Sequence, residues 1–352
     1  MATADRSYKH ILIVKLSAIG DVVHALPVSQ AVKQCFPEAR LTWVVEKPSY
    51  DLLANNPYID EIIVFDKPRF KSLAGLLKHG PALVKSLRSR HFDLALDLQA
   101  LFKSAAIAYL SGAPERLVYC NTRELSDLFS RRVCGPNQAG HVVERYLDVV
   151  RALGCEIDNV QFPIHITEQE AASARTVAGQ AGLADGQPYI VLAPGANWPN
   201  KRWPAPLFAL LADSLRDAGL IPVLAGGPGD RAMAAGIIAS AKAAPVDLTG
   251  KTSLKELAHL LKHARAFVGG DTGPMHLAAA LATPVVALYG PTDIVRNGPY
   301  GPGHKTIITP RECAGCWKRA CPKGEDCLAA IDADSVCRAL QEIVERNDRR
   351  QP

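Results

Sequence analysis

The 352-residue chain has little of what marks a membrane, fibrous or nucleic-acid-binding protein. No apolar run approaches the roughly 18–20 residues that a membrane-spanning helix needs. The apolar stretch Ile11–Val14 is followed by Lys15 and by no small-residue cleavage site, so we predict no signal peptide and expect a cytoplasmic protein. The formal net charge of +5 is small for a nucleic-acid binder, so no nucleic-acid partner is expected. Collagen, coiled coils, membrane channels and small disulfide scaffolds are excluded.

Strand-like and helical segments alternate along the chain, which predicts a parallel α/β fold. The length of the chain suits two domains. Because the alternation of strands and helices stops between Cys155 and about Glu170, we divide the chain into 1–165 and 166–352. The strands predicted for the first part are Ile11–Leu16, Leu41–Val45, Ile59–Phe65, Asp93–Leu98 and the weaker Leu117–Tyr119, with helices at Val22–Cys35 and His141–Leu153 among them. Those predicted for the second part are Tyr189–Ala193, Ile221–Ala225, Val246–Leu248, Ala266–Val268 and Val285–Leu288, with helices from about Pro206, Asp230, Leu254 and Pro274 and a last helix Ala333–Arg346.

Two familiar nucleotide-binding signatures are missing. A dehydrogenase carries Gly-x-Gly-x-x-Gly after its first strand, whereas the turn from Ser17 to Asp21 has one glycine. Gly250-Lys-Thr imitates the end of a P-loop, but Pro245 stands where the first glycine is required. An NAD-dependent oxidoreductase is therefore excluded, although parallel α/β halves still favour a nucleotide at the carboxyl ends of the strands.

The octet Gly269-Gly-Asp-Thr-Gly-Pro-Met-His276 is the strongest candidate for ligand binding. It lies between a predicted strand and a predicted helix, and its glycines let the backbone approach a ligand closely. Amides at a helix start bind a diphosphate, and His276 in the first turn can donate to a phosphate oxygen. The alternative is that Asp271 or Thr272 only caps the helix and that His276 packs on the surface.

Two further loops leave neighbouring strands of the same half. In the loop from Gly195 to Trp203, Lys201 can neutralise a phosphate and Asn197 offers both a donor and an acceptor. In the loop from Gly226 to Asp230, the aspartate can accept ribose hydroxyls or cap the following helix. Together with the octet, the two loops predict one pocket for an anionic ligand.

Four segments together resemble glycosyltransferase family 9, the ADP-heptose:lipopolysaccharide heptosyltransferases. They are Lys15–Asp21, Asp97–Ser104, Pro194–Trp203 and Gly270–His276, and the similarity runs over nearly the whole chain. The resemblance implies the GT-B fold, in which two Rossmann-like parallel-sheet domains face each other across a cleft. It places the acceptor on the N-terminal domain and the sugar nucleotide on the C-terminal one.

The resemblance also implies an inverting transfer of heptose from ADP-heptose to the lipopolysaccharide inner core, with Asp21 as the general base. From its position alone, the favoured role of Asp21 is a helix cap. Lys201 and the Thr272–Gly273 amides would meet the charge of the departing diphosphate, so we expect no metal cofactor. The residues expected to bind the donor are Asn197, Lys201, Asp230, Asp271, Thr272, Gly273 and His276, and those counted as catalytic are Asp21 and Lys201.

Between Lys67 and Phe92 there are seven basic residues and no acidic one. The implied acceptor, Kdo-lipid A or heptosyl-Kdo-lipid A, is anionic and lies in a membrane leaflet, so we expect peripheral contact with the cytoplasmic face of the inner membrane. The residues expected to bind the acceptor are Lys67, Arg69, Lys71, Gln99, Arg123 and His141. A solvated basic face is the alternative, and Gly80-Pro81 is expected to interrupt any continuous surface helix.

Nine cysteines in a cytoplasmic chain should mostly be reduced. We expect Cys35, Cys120, Cys134 and Cys155 to be buried. A denser group comprises Cys313, Cys316, Cys321 and Cys327. Only its first pair has the spacing of a zinc knuckle, so a packed or redox-labile cluster is favoured over zinc or an iron–sulfur centre.

Two other functions stay open. One is a different GT-B sugar-nucleotide enzyme, either a transferase with another donor or an epimerase. The other is an inactive nucleotide-binding protein, against which the retention of Asp21, Lys201 and His276 argues. The sequence leaves open whether the first or the second heptose is added.

Overall fold

The computed structural model describes residues 7–348, and the chain divides into two compact units between His165 and Ile166. We call the residues before this division unit 1 and those after it unit 2. Each unit contains one six-stranded sheet in which all strands are parallel, with helices in the connections.

Unit 1 has its first strand in the middle of the sheet. The strands are β1 (His10–Val14), β2 (Arg40–Glu46), β3 (Glu61–Phe65), β4 (Leu94–Asp97), β5 (Glu115–Tyr119) and β6 (Arg131–Val133); the helices are α1 (Ile19–Cys35), α2 (Tyr50–Leu53), α3 (Leu73–Arg88), α4 (Phe102–Leu110) and α5 (Val142–Arg151). Their order is β3-β2-β1-β4-β5-β6, with Ile11 of β1 in register with Leu41 on one side and Leu94 on the other. This doubly wound order leaves a ligand-binding crevice at the carboxyl edge, where the chain switches direction across the sheet.

Unit 2 repeats the same topology. Its strands are β7 (Tyr189–Ala193), β8 (Ile221–Leu224), β9 (Val246–Asp247), β10 (Ala266–Gly270), β11 (Val285–Tyr289) and β12 (Lys305–Ile308); the helices are α6 (Glu168–Gln180), α7 (Ala205–Asp217), α8 (Arg231–Ser240), α9 (Leu254–His263), α10 (Gly273–Ala280), α11 (Ile294–Asn297) and α12 (Ala333–Asp348). The order is β12-β11-β10-β7-β8-β9. The last helix belongs to this unit, because Val336 and Leu340 of α12 join the core cluster around Trp203.

The structure corrects the sequence-based elements in a few places. The edge strands β6 and β12 were not predicted, and α1 begins at Ile19 rather than Val22. Helix α3 runs unbroken through Gly80-Pro81, against expectation. Pro81 is tolerated because it and Leu77, whose carbonyl loses its helical partner, are both exposed to solvent. No helix within residues 7–348 combines the length and the apolarity needed to cross a bilayer.

The first four cysteines differ from expectation. Cys35 is disulfide-bonded to Cys155 and Cys120 to Cys134, and of the four only Cys155 is buried. The first pair forms because α1 packs against α5, which brings the ends of the two helices together. The later cysteines, Cys313, Cys316, Cys321, Cys327 and Cys337, are free thiols.

Candidate active site

The three loops predicted to share a pocket in unit 2 leave adjacent strands, because β10 lies beside β7 and β7 beside β8. The loops touch at two glycines. A Cβ on Gly195 would lie 2.1 Å from Asp230 Cγ, and one on Gly270 would lie 2.5 Å from the Lys201 carbonyl oxygen. Only glycine permits such approaches, so these two residues hold the loops together at the carboxyl edge.

Asp271 joins two of the predicted donor-binding residues. Its Oδ2 lies 2.6 Å from Lys201 Nζ, and its Oδ1 lies 2.9 Å from His276 Nε2. The Asp271 side chain is 4% exposed and that of His276 6%, so both are inside the protein rather than on its surface. The two carboxylate oxygens therefore hold a cation and an imidazole side by side.

This arrangement fixes the charge of Asp271. Burial alone would raise the pKa of the carboxyl, but the hydrogen bond and charge of His276 and the Lys201 ammonium lower that pKa well below its usual value. The group is thus ionised at neutral pH. Its oxygens face Lys201 and His276 and do not cap α10, which has no side-chain cap.

The first turn of α10 is built to receive an anion. The helix begins at Gly273, where the first amides have no helical carbonyl to bond and the helix dipole is positive. Thr272 Oγ1 is buried beside this turn and has no hydrogen-bond partner among residues 7–348. An unsatisfied hydroxyl next to unsatisfied amides is typical of a site that a ligand completes.

The remaining donor candidates are more exposed. Asp230 Oδ2 accepts a 2.8 Å hydrogen bond from Gly227 N within the same loop. Asn197 is exposed, and its side chain makes no hydrogen bond to another described residue. Trp198, to which the sequence analysis gave no role, lies 4.6 Å from Lys201 Nζ and 5.7 Å from the Arg319 guanidinium carbon, measured to the ring centroid. The only feature of the sequence that could have indicated a role for Trp198 is its position three residues before Lys201.

In unit 1, Asp21 is the third residue of α1 and is half-buried. Its Oδ2 lies 3.3 Å from Ala18 N and accepts from it, so the carboxylate faces the start of the helix at the carboxyl edge of the sheet. This hydrogen bond is the one expected if Asp21 caps the start of α1. It leaves the proposed base in the first turn of the helix that follows the central strand.

Gln99 supports that loop from the neighbouring strand. Its Oε1 accepts hydrogen bonds from Leu16 N and Ser17 N, both at 3.1 Å, and the side chain is buried. The amide therefore connects the end of β4 to the segment that carries Asp21. From the sequence, Gln99 was expected only to bind the acceptor, and this positioning role was not foreseen.

Asp97 organises the turn that presents Gln99. It accepts hydrogen bonds from Gln99 N at 2.9 Å, Ala100 N at 3.0 Å and Ser104 Oγ at 3.0 Å, and it is fully buried. Burial raises the pKa of Asp97 to about 6, against the opposing effect of these bonds and of the Lys15 charge. Ala100 has a φ of +53°, a left-handed conformation that glycine adopts more readily than alanine.

The predicted acceptor residues follow strands at the same edge of unit 1. Lys67 and Arg69 lie in the 3₁₀ turn Lys67–Phe70 after β3, Lys71 follows it, and all three are exposed. Arg69 Nε is 2.7 Å from Asp66, and Arg123 is exposed after β5. His141 instead caps α5, since its Nδ1 accepts from Val143 N at 3.2 Å.

The cysteine group lies together in unit 2. Burial and the neighbouring Cys313, Cys316 and Cys321 raise the pKa of the Cys327 thiol. Among the described residues, no three His, Cys, Asp or Glu side chains are arranged to hold a metal ion. Asp332 and Asp334 are two further acidic residues at the start of α12. Asp332 directly precedes the helix, and its Oδ1 accepts a 2.7 Å hydrogen bond from Ser335 N.

Comparison with known proteins then decides the family. The family model of glycosyltransferase family 9 (heptosyltransferase) matches residues 81–326. The chain belongs to glycosyltransferase family 9. This glycosyltransferase is 31% identical over 327 residues to lipopolysaccharide heptosyltransferase 1 of Pseudomonas aeruginosa, covering 90% of the chain and 89% of that relative.

Two solved structures from Escherichia coli resemble the glycosyltransferase closely. ADP-heptose lipopolysaccharide heptosyltransferase II has a TM-score of 0.78 at 25% identity, over 96% of this chain and 99% of that one. Heptosyltransferase WaaC, solved with ADP, has a TM-score of 0.73 at 26% identity, over 95% and 99%. The predicted GT-B fold of two Rossmann-like units and the assignment as a glycosyltransferase are thereby confirmed.

Proposed function

We propose that this family 9 glycosyltransferase moves a heptose from ADP-heptose to the lipopolysaccharide inner core, with inversion at the anomeric carbon. The acceptor is Kdo-lipid A or heptosyl-Kdo-lipid A. The observation that carries the proposal is the Lys201–Asp271–His276 contact beside the first turn of α10. It combines a cation, an imidazole and free helix amides, which together suit a sugar-linked diphosphate, and the similar WaaC was solved with ADP.

In this mechanism, the Asp21 carboxylate takes the proton of the acceptor hydroxyl while the hydroxyl oxygen attacks the anomeric carbon. The bond from that carbon to the diphosphate oxygen breaks, and its electron pair leaves with ADP. Lys201, Gly273 N and the Thr272 hydroxyl stabilise the charge that gathers on the diphosphate. Attack opposite the leaving group inverts the anomeric centre.

Lys67, Lys71 and Arg123 are the side chains we assign to the phosphates and carboxylates of the acceptor. All three are exposed at the carboxyl edge of unit 1. Because the acceptor is a lipid, the enzyme acts in peripheral contact with the cytoplasmic face of the inner membrane.

The base is tested with Asp21→Asn, using ADP-heptose and a deacylated acceptor with ADP release as readout. Turnover should fall about 100- to 10,000-fold, which is the range for a lost general base, while ADP binding is unchanged. Asp51→Asn is the matched control, because Asp51 is also an acid in the first turn of a unit 1 helix. If both variants lose stability slightly and keep their turnover, Asp21 is only a cap.

The donor is tested by thermal shift with ADP, UDP and GDP. We expect ADP to stabilise the protein most, because an adenine nucleotide is the leaving group of the proposed reaction. Equal or larger shifts with UDP or GDP would point to another sugar-nucleotide enzyme. Tight ADP binding without any ADP release from ADP-heptose would point to an inactive nucleotide-binding protein.

A further inference from the structure

Helix α3 carries one apolar stripe that is only half covered. Leu83 and Leu87 of the stripe pack against the core of unit 1, and Leu87 is fully buried. The same stripe continues toward the start of the helix as Leu73, Leu76 and Leu77, which we call the leucine face. These side chains are 73%, 49% and 71% exposed, although their helical spacing is that of a buried face.

The charges around the leucine face are all of one sign. Arg69 is paired with Asp66 and Arg90 with Glu61, but five other basic residues of this segment are exposed. They are Lys67, Lys71, Lys78, Lys85 and Arg88. Lys78 and Lys85 lie on the polar face of α3, opposite most of the leucine face. A helix with a bare apolar face and a lysine-rich polar face is the pattern that lies in the interface of an anionic bilayer.

The leucine face also lies on the functional side of unit 1. It forms the first turns of α3, which follows the carboxyl end of β3, at the sheet edge that carries Asp21 and Gln99. Other exposed apolar residues occur at the same edge, namely Phe102 at the start of α4 and Leu125 and Leu128 after β5. Helix α4 contacts both α3 and the 3₁₀ turn Ser126–Leu128.

We infer that the leucine face of α3 inserts into an anionic lipid bilayer, with Lys78 and Lys85 on the headgroups. This deepens the proposed function by naming the surface that meets the membrane. Charge favours a bilayer as the occupant: the exposed basic residues of this segment repel those of a second copy, whereas anionic headgroups neutralise them.

The test is vesicle co-sedimentation of the full chain. Wild type should bind vesicles of phosphatidylcholine that contain phosphatidylglycerol, and bind pure phosphatidylcholine far more weakly. Leu73→Ser with Leu77→Ser should lower the partition coefficient about tenfold or more, because two leucines lose their burial among acyl chains. Lys78→Gln with Lys85→Gln should lower it by roughly fivefold per lysine and reduce its salt dependence, while Lys67, Lys71 and Arg88 keep part of that dependence.

Leu210→Ser is the matched control, since Leu210 is a 53% exposed leucine on α7 of unit 2, and it should bind vesicles as wild type does. The inference is overturned if the Leu73/Leu77 variant binds as tightly as wild type. It is also overturned if wild type is a dimer in solution that this variant dissociates, because the face is then an interface between copies.

Activity separates this inference from the proposed function. The Leu73/Leu77 variant should keep wild-type turnover on a soluble, deacylated acceptor and lose it on an acceptor embedded in vesicles. Failure of the wild type on both acceptors would reject the proposed reaction and leave the vesicle-binding result standing by itself.

Discussion

Asp271 is the residue on which the candidate donor site depends most, because its two oxygens hold both Lys201 and His276. Asp271→Asn removes the charge between them and leaves a buried ammonium without its carboxylate. We expect the free energy of unfolding to fall by about 3 kcal/mol and kcat/KM for the donor to fall about 100-fold, mainly through KM. Chemical denaturation and steady-state kinetics measure the two effects.

Asp213→Asn is the control for that change. Asp213 is also a buried aspartate of unit 2, but its Oδ1 accepts from Lys242 N away from the three loops. It should lose stability and keep the donor KM. If Asp271→Asn also keeps a wild-type donor KM, the Lys201–Asp271–His276 contact is structural and the donor binds elsewhere.

The raised pKa of Asp97 predicts that the stability of the folded protein depends on pH. Because its pKa in the folded protein is about 6 and its usual value is 3.8, the folded state holds this proton more tightly than the unfolded state does. The free energy of unfolding should therefore fall as pH rises through this interval, by roughly 3 kcal/mol from this one group. Asp97→Asn cannot titrate, so the difference between wild type and variant, measured by urea unfolding at about pH 4 and about pH 7, isolates the effect. A pH-independent difference would contradict the assignment.

Residue roles were predictable from the sequence where the role follows from local spacing. Lys201, Asp271 and His276 could be singled out because each lies in or directly after a glycine-containing segment that follows a strand. The contact among them could not, because Lys201 and Asp271 are 70 positions apart and meet only through the pairing of β7 with β10. For the same reason the hydrogen bonds of Gln99 Oε1 with Leu16 N and Ser17 N could not be predicted, because these residues follow a different strand.

At the scale of elements, two substitutions of Gln99 test whether its side chain holds the β1–α1 loop beside the end of β4. Gln99→Glu keeps an oxygen that can accept from Leu16 N and Ser17 N, and Gln99→Met keeps the shape without an oxygen acceptor. If Gln99 is a positioning residue, Glu should retain kcat within a fewfold and Met should lower kcat about tenfold, with donor KM unchanged in both. Loss of activity in Gln99→Glu with a raised acceptor KM would mean that the side-chain NH2 binds the acceptor.

The elements themselves were predicted well where both faces of a strand are buried. Strands β1, β7 and β11 are continuous apolar runs, because helices cover both sides of a parallel sheet. The edge strands β6 and β12 are short and partly polar, and their pairing comes from the neighbouring strand rather than from their own pattern. Helix α3 was expected to break at Pro81 because the rule for proline assumes a buried helix interior.

At the scale of the molecule, two halves with one topology could be predicted because the strand–helix rhythm stops and restarts near Cys155–Glu170. The sequence placed α12 in the second half by its position in the chain, although its apolar spacing fits either sheet. The structure decides this by packing: Val336, Leu340 and Ile343 complete the core of unit 2 beside Trp203 and Phe208. Unit 2 thus has a closed core built from its own residues.

That closed core leads to a prediction about the separated half of the enzyme. Every candidate donor residue, from Asn197 to His276, belongs to unit 2, so residues 166–352 produced alone should fold and bind ADP with a Kd within about threefold of the full chain's. Calorimetric titration measures the Kd, and circular dichroism checks the fold. Asp271→Asn in the same fragment should weaken binding as it does in the full chain. A folded fragment that does not bind ADP would show that unit 1 supplies part of the nucleotide site, and the donor assignment would have to be redrawn.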